Sequence, residues 1–476
     1  MTQILFVVSE CAPLIKTGGL ADVGGALPQA LAKHGCDVRT LLPGYRAIMG
    51  KLGKTKVIEK FDDLFGGPAS LRACTVNGLD LLVIDAPHLF DRDGGIYLDV
   101  AGQDWPDNPE RFAALSYVAA MIADKGAGGW NPDIVHGHDW QAGLTPEYML
   151  ALGVTTPFVF TIHNIAFHGN TSADKLQALR LNPDRFSADN FEFWGQISAL
   201  KSALTGAATI TTVSQTYAKE LLTPEFGIGM DGVLRARRAD LVGIVNGIDE
   251  DVWNPATDPT IKSYKTAAGK VANKKALQKT FGLGTSDGPL CVLVSRLTEQ
   301  KGIDLLLQAL PDLLSAGGQL ALLGSGAPEL EVAVLEAASN HPNVAVKIGY
   351  DEGLSHQMMA GGDAILVPSR FEPCGLTQLY GLRYGALPLV ALTGGLADTV
   401  INASPAALSS GVATGVQFNP ITTQALGDAF GRLCALYRQP EVWKKMQSNA
   451  MKQAVGWDAS AGAYNAVYTQ LRAAVS

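Results

Sequence analysis

Two cations stand directly after a short apolar run in the second half of this 476-residue sequence. They are Arg296 and Lys301, and the run before them ends at Val294. A guanidinium binds two oxygens at once and an ammonium acts as a point charge, so the pair is suited to a diphosphate group. A solvated, charged helix start is the alternative interpretation.

A carboxylate between an apolar run and a glycine is the second chemically suggestive feature. Glu372 lies within the stretch Pro368–Thr377, just before Gly375. Its carboxylate is able to hold sugar hydroxyls, and free N–H groups from Gly375 onward are able to face a phosphate at a helix start. A tight loop with a surface glutamate is the alternative.

A lysine followed by two glycines stands near the beginning of the chain. Lys16 precedes Gly18 and Gly19, and an apolar helical pattern follows. Glycines at a helix start allow close approach of an anion, which the helix N-terminus favours. The stretch lacks the spacing of a dinucleotide fingerprint or a P-loop. It therefore indicates either a phosphate contact or a plain glycine turn.

Histidines follow two further apolar runs. His136, His138 and Asp139 form an H-x-H-D pattern, which is either a metal-ligand set or a strand end with one buried histidine. His163 and Asn164 follow the next run and offer hydrogen bonds suited to a polyol. A structural histidine is the alternative for His163.

Short apolar runs alternate with helical patterns along the chain, and elements of this kind would bring such residues together. This alternation predicts two doubly wound α/β halves with parallel sheets, whose ligands bind beyond the carboxyl ends of the strands. Helices are expected at Leu20–His34, Arg111–Lys125, Ser214–Leu222, Asp304–Leu314, Glu329–Ala338 and Gly375–Tyr384, and the first part of Trp253–Thr285 is expected to be a linker. Strands are expected at Ile4–Val8, Val38–Leu42, Leu79–Ile84, Ile134–His136, Phe158–Ile162, Ala208–Val213, Leu290–Val294, Gln319–Leu323, Val344–Ile348, Ala364–Val367 and Leu387–Ala391.

Composition excludes several classes of protein. The chain has 52 glycines without a triplet period, which excludes collagen. Its six cysteines are too sparse for a disulfide scaffold, and the lack of a C-x-x-C pair argues against a zinc ribbon. A net charge of −8 argues against a mainly electrostatic binder of nucleic acid or membranes. No apolar run reaches the roughly 20 residues of a membrane helix. We expect a cytoplasmic protein.

Taken together, the motifs resemble those of the bacterial glycogen synthases and plant starch synthases that use ADP-glucose. The resemblance covers nearly the whole chain, and two motifs are highly specific for the family. These are Lys-Thr-Gly-Gly-Leu from Lys16 and Ser-Arg-Phe-Glu-Pro-Cys-Gly-Leu from Ser369.

The resemblance implies the GT-B fold, in which two Rossmann-like doubly wound α/β domains face each other across a deep cleft. Residues 1–245 would form the acceptor domain, 246–456 the donor domain, and the helix in 457–476 would return to the first domain. The implied reaction transfers glucose from ADP-glucose to the non-reducing end of an α-1,4-glucan, glycogen or malto-oligosaccharide, with retention and release of ADP. No cofactor, metal, nucleic acid or membrane is expected to take part.

The resemblance also implies roles for individual residues. The implied catalytic residues are Glu372, His163, Lys301 and Arg296. Donor-binding residues would be Lys16, Gly18, Gly19, Asn246, Tyr350, Gly375, Leu376 and Thr377, and acceptor-binding residues Asp139, Trp140 and Asn164. Many related transferases carry a second glutamate eight residues after the first, and here that position is Tyr380, as is common among ADP-glucose synthases.

Two other functions remain as alternatives at this point. One is a metallohydrolase that uses His136, His138 and Asp139. The other is a glucan-binding protein that keeps the fold without turnover, against which the complete set of implied catalytic residues argues.

Overall fold

The structure is a computed structural model that describes residues 1–475. The chain forms two compact units. The first unit comprises Met1–Asn246 and the segment that starts at Trp457, and the second unit comprises Gly247–Gly456. The assignment of residues 1–245 with 457–476 to acceptor binding, and of 246–456 to donor binding, stays a prediction.

The strands of the first unit form two sheets within the described chain. Nine strands make a large sheet in the order β12-β11-β7-β6-β1-β2-β5-β4-β3, and β8, β10 and β9 make a small antiparallel one. Their bounds are β1 Thr2–Val7, β2 Cys36–Pro43, β3 Lys56–Phe61, β4 Ala69–Val76, β5 Leu79–Asp85, β6 Ile134–His138, β7 Phe158–Ile162, β8 Asn170–Ser172, β9 Glu192–Phe193, β10 Gln196–Ser198, β11 Thr209–Thr212 and β12 Leu241–Gly243.

The large sheet is parallel from β12 to β5, as the solid apolar runs predict. All side chains of β7 are buried. The antiparallel strands β3 and β4 extend the sheet at one edge and were not predicted. Most residues of β3 are exposed, so this strand lacks a solid apolar run.

The helices predicted for the first unit are present with shifted ends, and several further helices were not predicted. The helix predicted at Leu20–His34 spans Gly19–Lys33, and the one predicted from Arg111 begins at Asn108, with Pro109 in its first turn. Ser214 caps its helix as predicted, since its Oγ accepts from the Tyr217 N–H at 3.0 Å. The other α-helices span Arg46–Met49, Pro87–Phe90, Thr145–Ala151, Ala199–Gly206, Gln215–Glu220, Pro224–Gly227, Asp231–Ala236 and Asp458–Val475.

The second unit has a six-stranded parallel sheet in its described residues. Its order is β15-β14-β13-β16-β17-β18. Five of these strands were predicted, and the short β18 was not. The bounds are β13 Leu290–Val294, β14 Gln319–Gly324, β15 Val344–Ile348, β16 Ala364–Val367, β17 Leu387–Ala391 and β18 Val416–Phe418.

Three of the described helices of the second unit were predicted, those at Ile303–Ser315, Pro328–Asn340 and Thr377–Tyr384, and the others were not. Lys270–Phe281 is a helix in a segment whose polar, lysine-bearing sequence gives no amphipathic pattern. The helix predicted to begin at Gly375 begins at Thr377, because Gly375 has φ +71° and lies in the preceding turn. The other α-helices span Ile303–Ser315, Pro328–Asn340, Glu352–Gly361, Gly394–Thr399, Pro405–Ser409, Thr423–Tyr437 and Pro440–Lys452.

Across residues 1–475, every helix is too short or too polar to cross a bilayer.

Candidate active site

An ion pair lies at the carboxyl edge of the second unit's sheet. Lys301 Nζ is 2.5 Å from Glu372 Oε2, and the Ser369 hydroxyl donates to the same oxygen at 2.9 Å. Glu372 is only 7% exposed. The two residues follow the neighbouring strands β13 and β16, so residues 71 positions apart in sequence meet at one edge. The predicted cation and carboxylate are therefore one cluster.

The loops that carry the pair are fastened to each other. Arg370 makes a bidentate ion pair with Asp304 at 2.7 and 2.6 Å, and it donates to the Glu299 carbonyl at 2.7 Å. Gly302 has φ +68°, and a Cβ there would lie 2.1 Å from the Pro368 carbonyl oxygen. These contacts fix Lys301 and Glu372 relative to each other.

Two further glycines hold the Glu372 loop from the other side. A Cβ on Gly394 would lie 2.0 Å from the Glu372 carbonyl oxygen, and one on Gly395 would lie 2.1 Å from that of Cys374. Gly395 N–H donates to the Glu372 carbonyl at 3.1 Å. A sequence signal for this contact exists, because residues 393–398 repeat the six residues Thr-Gly-Gly-Leu-Ala-Asp of 17–22.

A small cavity of about 20 Å³ lies beside the ion pair. Its polar lining comes from Ser295, Lys301, Ser369, Glu372 and Thr377. Such a volume holds about one water molecule. The turn and helix start next to Glu372 contain Gly375, Leu376 and Thr377, which were predicted to bind the sugar donor.

Arg296 and Tyr350 lie farther out on the same unit. Arg296 is exposed on the loop after β13, and in the described chain no side chain pairs with its guanidinium. Tyr350 follows β15 and is 70% exposed. Both side chains therefore have room to contact a ligand.

In the first unit, a buried carboxylate organises the Lys16 loop. Glu10 accepts from the backbone N–H groups of Thr17 and Gly18 at 2.7 and 3.1 Å, and from the Tyr97 hydroxyl at 3.0 Å. Lys16 Nζ bonds Asp22 at 2.7 Å. The Gly18 N–H is thus used within the protein, and the helix that begins at Gly19 presents the next N–H groups of its first turn. Sequence analysis missed both Glu10 and Tyr97.

Asp139 and His163 meet at the ends of β6 and β7. Asp139 Oδ1 accepts from the backbone N–H groups of His163 at 2.8 Å and Asn164 at 3.4 Å. Burial raises the pKa of Asp139 to about 7, and these N–H groups partly offset the rise. Burial lowers the pKa of His163 to about 3, so its imidazole is neutral.

Both ring nitrogens of His136 have protein partners. Nδ1 lies 2.7 Å from the Tyr468 hydroxyl and Nε2 lies 2.6 Å from Thr161 Oγ1. His138 Nδ1 instead bonds His163 Nε2 at 2.9 Å. Within residues 1–475, no group of three histidine, cysteine or acidic residues is arranged to hold a metal. Contacts within the protein therefore occupy both ring nitrogens of His136 and one ring nitrogen of His138.

The remaining predicted residues of the first unit have different surroundings. Trp140 packs edge-on against Phe112, and its ring fills the space where a Cβ of Gly169 would be. Asn164 Oδ1 accepts from the Ala166 N–H at 3.0 Å. Asn246 is 7% exposed, and its Oδ1 has no hydrogen-bond partner among the described residues. Packing therefore holds the Trp140 ring in place, whereas Asn246 has an unused acceptor.

Known proteins resemble this chain over its full length. The starch synthase catalytic domain family matches residues 3–236, and the group 1 glycosyl transferases match residues 288–435. A glycogen synthase of Jannaschia sp. (strain CCS1) is 70% identical over 98% of this chain and 99% of that protein. One of Paracoccus denitrificans (strain Pd 1222) is 59% identical over 99% and 100%.

A solved structure extends the comparison to the fold. The catalytic domain of starch synthase IV from Arabidopsis thaliana, bound to ADP and acarbose, aligns with a TM-score of 0.88 and 32% identity over 99% of both chains. The two Rossmann-like sheets and this similarity define a glycosyltransferase of the GT-B fold, as predicted. The chain belongs to the glycogen synthase family.

Proposed function

We propose that this protein is a retaining glycosyltransferase that elongates α-1,4-glucan. It transfers glucose from ADP-glucose to the non-reducing end of glycogen or a malto-oligosaccharide and releases ADP. The observation that carries the proposal is the full-length similarity to glycogen synthases. The Lys301–Glu372 pair at a strand edge supplies the charges that such a transfer needs.

In this proposal the second unit acts on the nucleotide diphosphate. Lys301 and Arg296 neutralise the negative charge that grows on the leaving diphosphate, which lowers the barrier to breaking the bond from phosphate oxygen to glucose C1. The N–H groups of Gly375, Leu376 and Thr377 support the same anion. Glu372 orients Lys301 and accepts hydrogen bonds from the glucose hydroxyls. Tyr350 stacks on the adenine.

The first unit positions the sugars in this proposal. Lys16, Gly18 and Gly19 contact the donor, with Lys16 exchanging its Asp22 contact for the ligand. Asn246 Oδ1, which is otherwise unused, accepts a hydrogen bond from a hydroxyl of the ADP-glucose. Asp139, Trp140 and Asn164 hold the acceptor, and His163 lies beside the donor glucose.

Retention follows if both bonds change on the same face of the sugar. The bond from C1 to the phosphate oxygen breaks, and the bond from C1 to the acceptor hydroxyl oxygen forms. The proton of that hydroxyl passes to the leaving phosphate oxygen. Two carboxylates about 5 Å apart, which a retaining glycosidase needs, are then not required.

We also propose that the protein works in the cytoplasm. All six cysteines are free thiols, which is typical of a reducing compartment.

The direct test supplies the purified protein with glycogen, EDTA and glucose-labelled ADP-glucose or UDP-glucose. We expect label to enter the polymer from ADP-glucose with release of ADP. Absence of incorporation from either donor would refute the proposed function, and incorporation from UDP-glucose alone would refute the donor.

A further inference from the structure

The hydrogen bond between His138 and His163 links the ends of two neighbouring strands. His138 is the last residue of β6, and His163 directly follows β7. His138 Nδ1 lies 2.9 Å from His163 Nε2. The contact is a side-chain link to the residue that the proposed function places beside the donor glucose.

The ring of His138 has little freedom to move. It is fully buried and packs against Phe6 and His136, with ring centroids 4.1 Å away in each case. Between the two histidines, Gly137 leaves no room for a side chain, because a Cβ would lie 2.8 Å from the Phe158 ring. A rigid ring is able to hold a neighbour in one orientation.

The two imidazoles must share a single proton in their contact. Burial lowers the pKa of His138 well below its usual value, as it does for His163. Each neutral ring has one N–H donor and one bare nitrogen that accepts. One of the two facing nitrogens therefore carries the proton and the other does not.

The other nitrogen of His138 decides between the two arrangements. His138 Nε2 is buried and has no hydrogen-bond partner among the described residues. A buried N–H without a partner is rarer than an unused acceptor. The proton of His138 therefore belongs on Nδ1, where it is donated to His163 Nε2. His163 must then carry its own proton on Nδ1.

We propose that His138 is a positioning residue that fixes the tautomer and ring orientation of His163, so that His163 presents an Nδ1–H donor to a sugar hydroxyl. This inference rests on the proposed transferase function. His163 is held at two points, since Asp139 accepts its backbone N–H at 2.8 Å while His138 holds its ring. The fixed ring acts as a neutral donor and not as a proton-transferring base.

The tautomer is measurable without any substitution. With only eight histidines, selective ¹⁵N-histidine labelling and two-bond ¹H–¹⁵N spectra distinguish Nδ1–H from Nε2–H rings. We expect the Nδ1–H tautomer for His163 in the full-length protein. An Nε2–H or a rapidly mixed ring would overturn the proposal.

Substitutions connect the tautomer to catalysis. His138→Leu keeps an apolar volume but removes the donor, and we expect kcat to fall about tenfold to a hundredfold, as for a misplaced catalytic group. KM for glycogen should change much less. His138→Asn offers an N–H near the position of Nδ1 and should restore most of the lost kcat.

The matched control is His356→Asn, which removes a buried imidazole of the second unit, away from His138 and His163 in the fold. We expect it to lower stability while leaving the His163 tautomer unchanged. A folded His138→Leu protein with unaltered kcat would refute the positioning role. Failure of the unsubstituted protein to use ADP-glucose would instead refute the proposed function, so the two failures are distinguishable.

Discussion

Gly18 and Gly24 differ in how much room their surroundings leave for a side chain. A Cβ on Gly18 would meet no atom within 4 Å, and the residue has an extended backbone with φ −153°. A Cβ on Gly24 would lie 2.7 Å from the Glu10 carbonyl oxygen. Gly24 is therefore needed for packing, whereas the protein itself does not require glycine at position 18.

This contrast gives a prediction for two alanine variants. Gly18→Ala should change the free energy of unfolding by less than about 0.5 kcal/mol, because its surroundings are open. It should raise KM for ADP-glucose about tenfold, equivalent to about 1.4 kcal/mol, if the donor approaches this backbone. Gly24→Ala should cost about 1–3 kcal/mol of stability. Equal destabilisation by both in urea titrations would contradict this account.

The buried histidines predict how stability depends on pH. Burial lowers the pKa values of His136, His138 and His163, so the unfolded chain binds up to three more protons below pH 6.5. Burial raises the pKa of Asp139 to about 7, so the folded state keeps one proton that the unfolded carboxyl loses above about pH 4.

The net excess near pH 5 is about two protons in the unfolded state. The free energy of unfolding should therefore fall as the pH decreases from 6.5, by about 3 kcal/mol per pH unit near pH 5. Urea midpoints measured between pH 5 and 6.5 test this expectation. Midpoints that stay constant or rise on acidification would show that these histidines are not neutral in the fold.

At the scale of elements, hydrogen bonds and an ion pair fasten the loops after β13 and β16 to each other. The Arg370–Asp304 ion pair is about one-third exposed at each side chain, so its contribution to stability is about 1 kcal/mol or less. Its main effect is to fix the loop that carries Lys301 against the loop that carries Glu372.

Loss of the Arg370–Asp304 ion pair should therefore affect kcat more than the free energy of unfolding. Arg370→Lys removes the bidentate geometry, and we expect kcat to fall about tenfold through a displaced Lys301–Glu372 pair. Arg72→Lys is the matched control, because Arg72 makes a similarly exposed ion pair with Asp85 at 2.7 Å on β4 and β5. Equal kinetic effects of the two substitutions would argue against a role of Arg370 in positioning Lys301 and Glu372.

Elements were predictable where burial on both faces produces a solid apolar run. Strands β1, β7 and β13 are of this kind: β7 and β13 have the predicted bounds, and β1 begins two residues and ends one residue earlier than predicted. The antiparallel β3 is mostly exposed, and the helix Lys270–Phe281 owes its position to buried contacts such as Lys270 Nζ with the Tyr384 carbonyl at 3.0 Å. Such tertiary contacts leave no local pattern.

The residue types of the candidate site could be predicted from the sequence, but their arrangement in space could not. Lys301 and Glu372 meet only because β13 and β16 are neighbours, and local sequence does not encode strand order. Glu10 was missed because its effect depends on a loop that folds back over seven residues to bring the Thr17 N–H to its carboxylate. The repeat of residues 17–22 at 393–398 was a usable signal.

For the whole molecule, the last helix is part of the first unit. Tyr464 and Tyr468 on Asp458–Val475 are fully buried, and Tyr468 bonds His136. Ser460 donates to the Val245 carbonyl at 2.5 Å. The helix Asp458–Val475 therefore completes the hydrophobic core of the first unit.

Truncation tests this dependence. A chain that ends at Gly456 loses three buried aromatic side chains, Trp457, Tyr464 and Tyr468. At about 3–5 kcal/mol each, their loss is comparable to a typical stability of about 5–15 kcal/mol. We expect the first unit to lose cooperative unfolding in circular dichroism melts, whereas deletion of residues 473–476 should leave the melting temperature nearly unchanged. A truncated chain that melts like the full protein would contradict this role.

The central claim is that the Lys301–Glu372 site transfers glucose from ADP-glucose to glucan. The most direct measurement compares the rate of label incorporation into glycogen for the unsubstituted protein, Lys301→Ala and Lys279→Ala, with folding verified for each. Lys279 is an exposed lysine on the helix Lys270–Phe281 and serves as the control. We predict a fall in kcat of about 10²–10³-fold for Lys301→Ala and no comparable change for Lys279→Ala. A folded Lys301→Ala protein with near-normal incorporation would contradict the account.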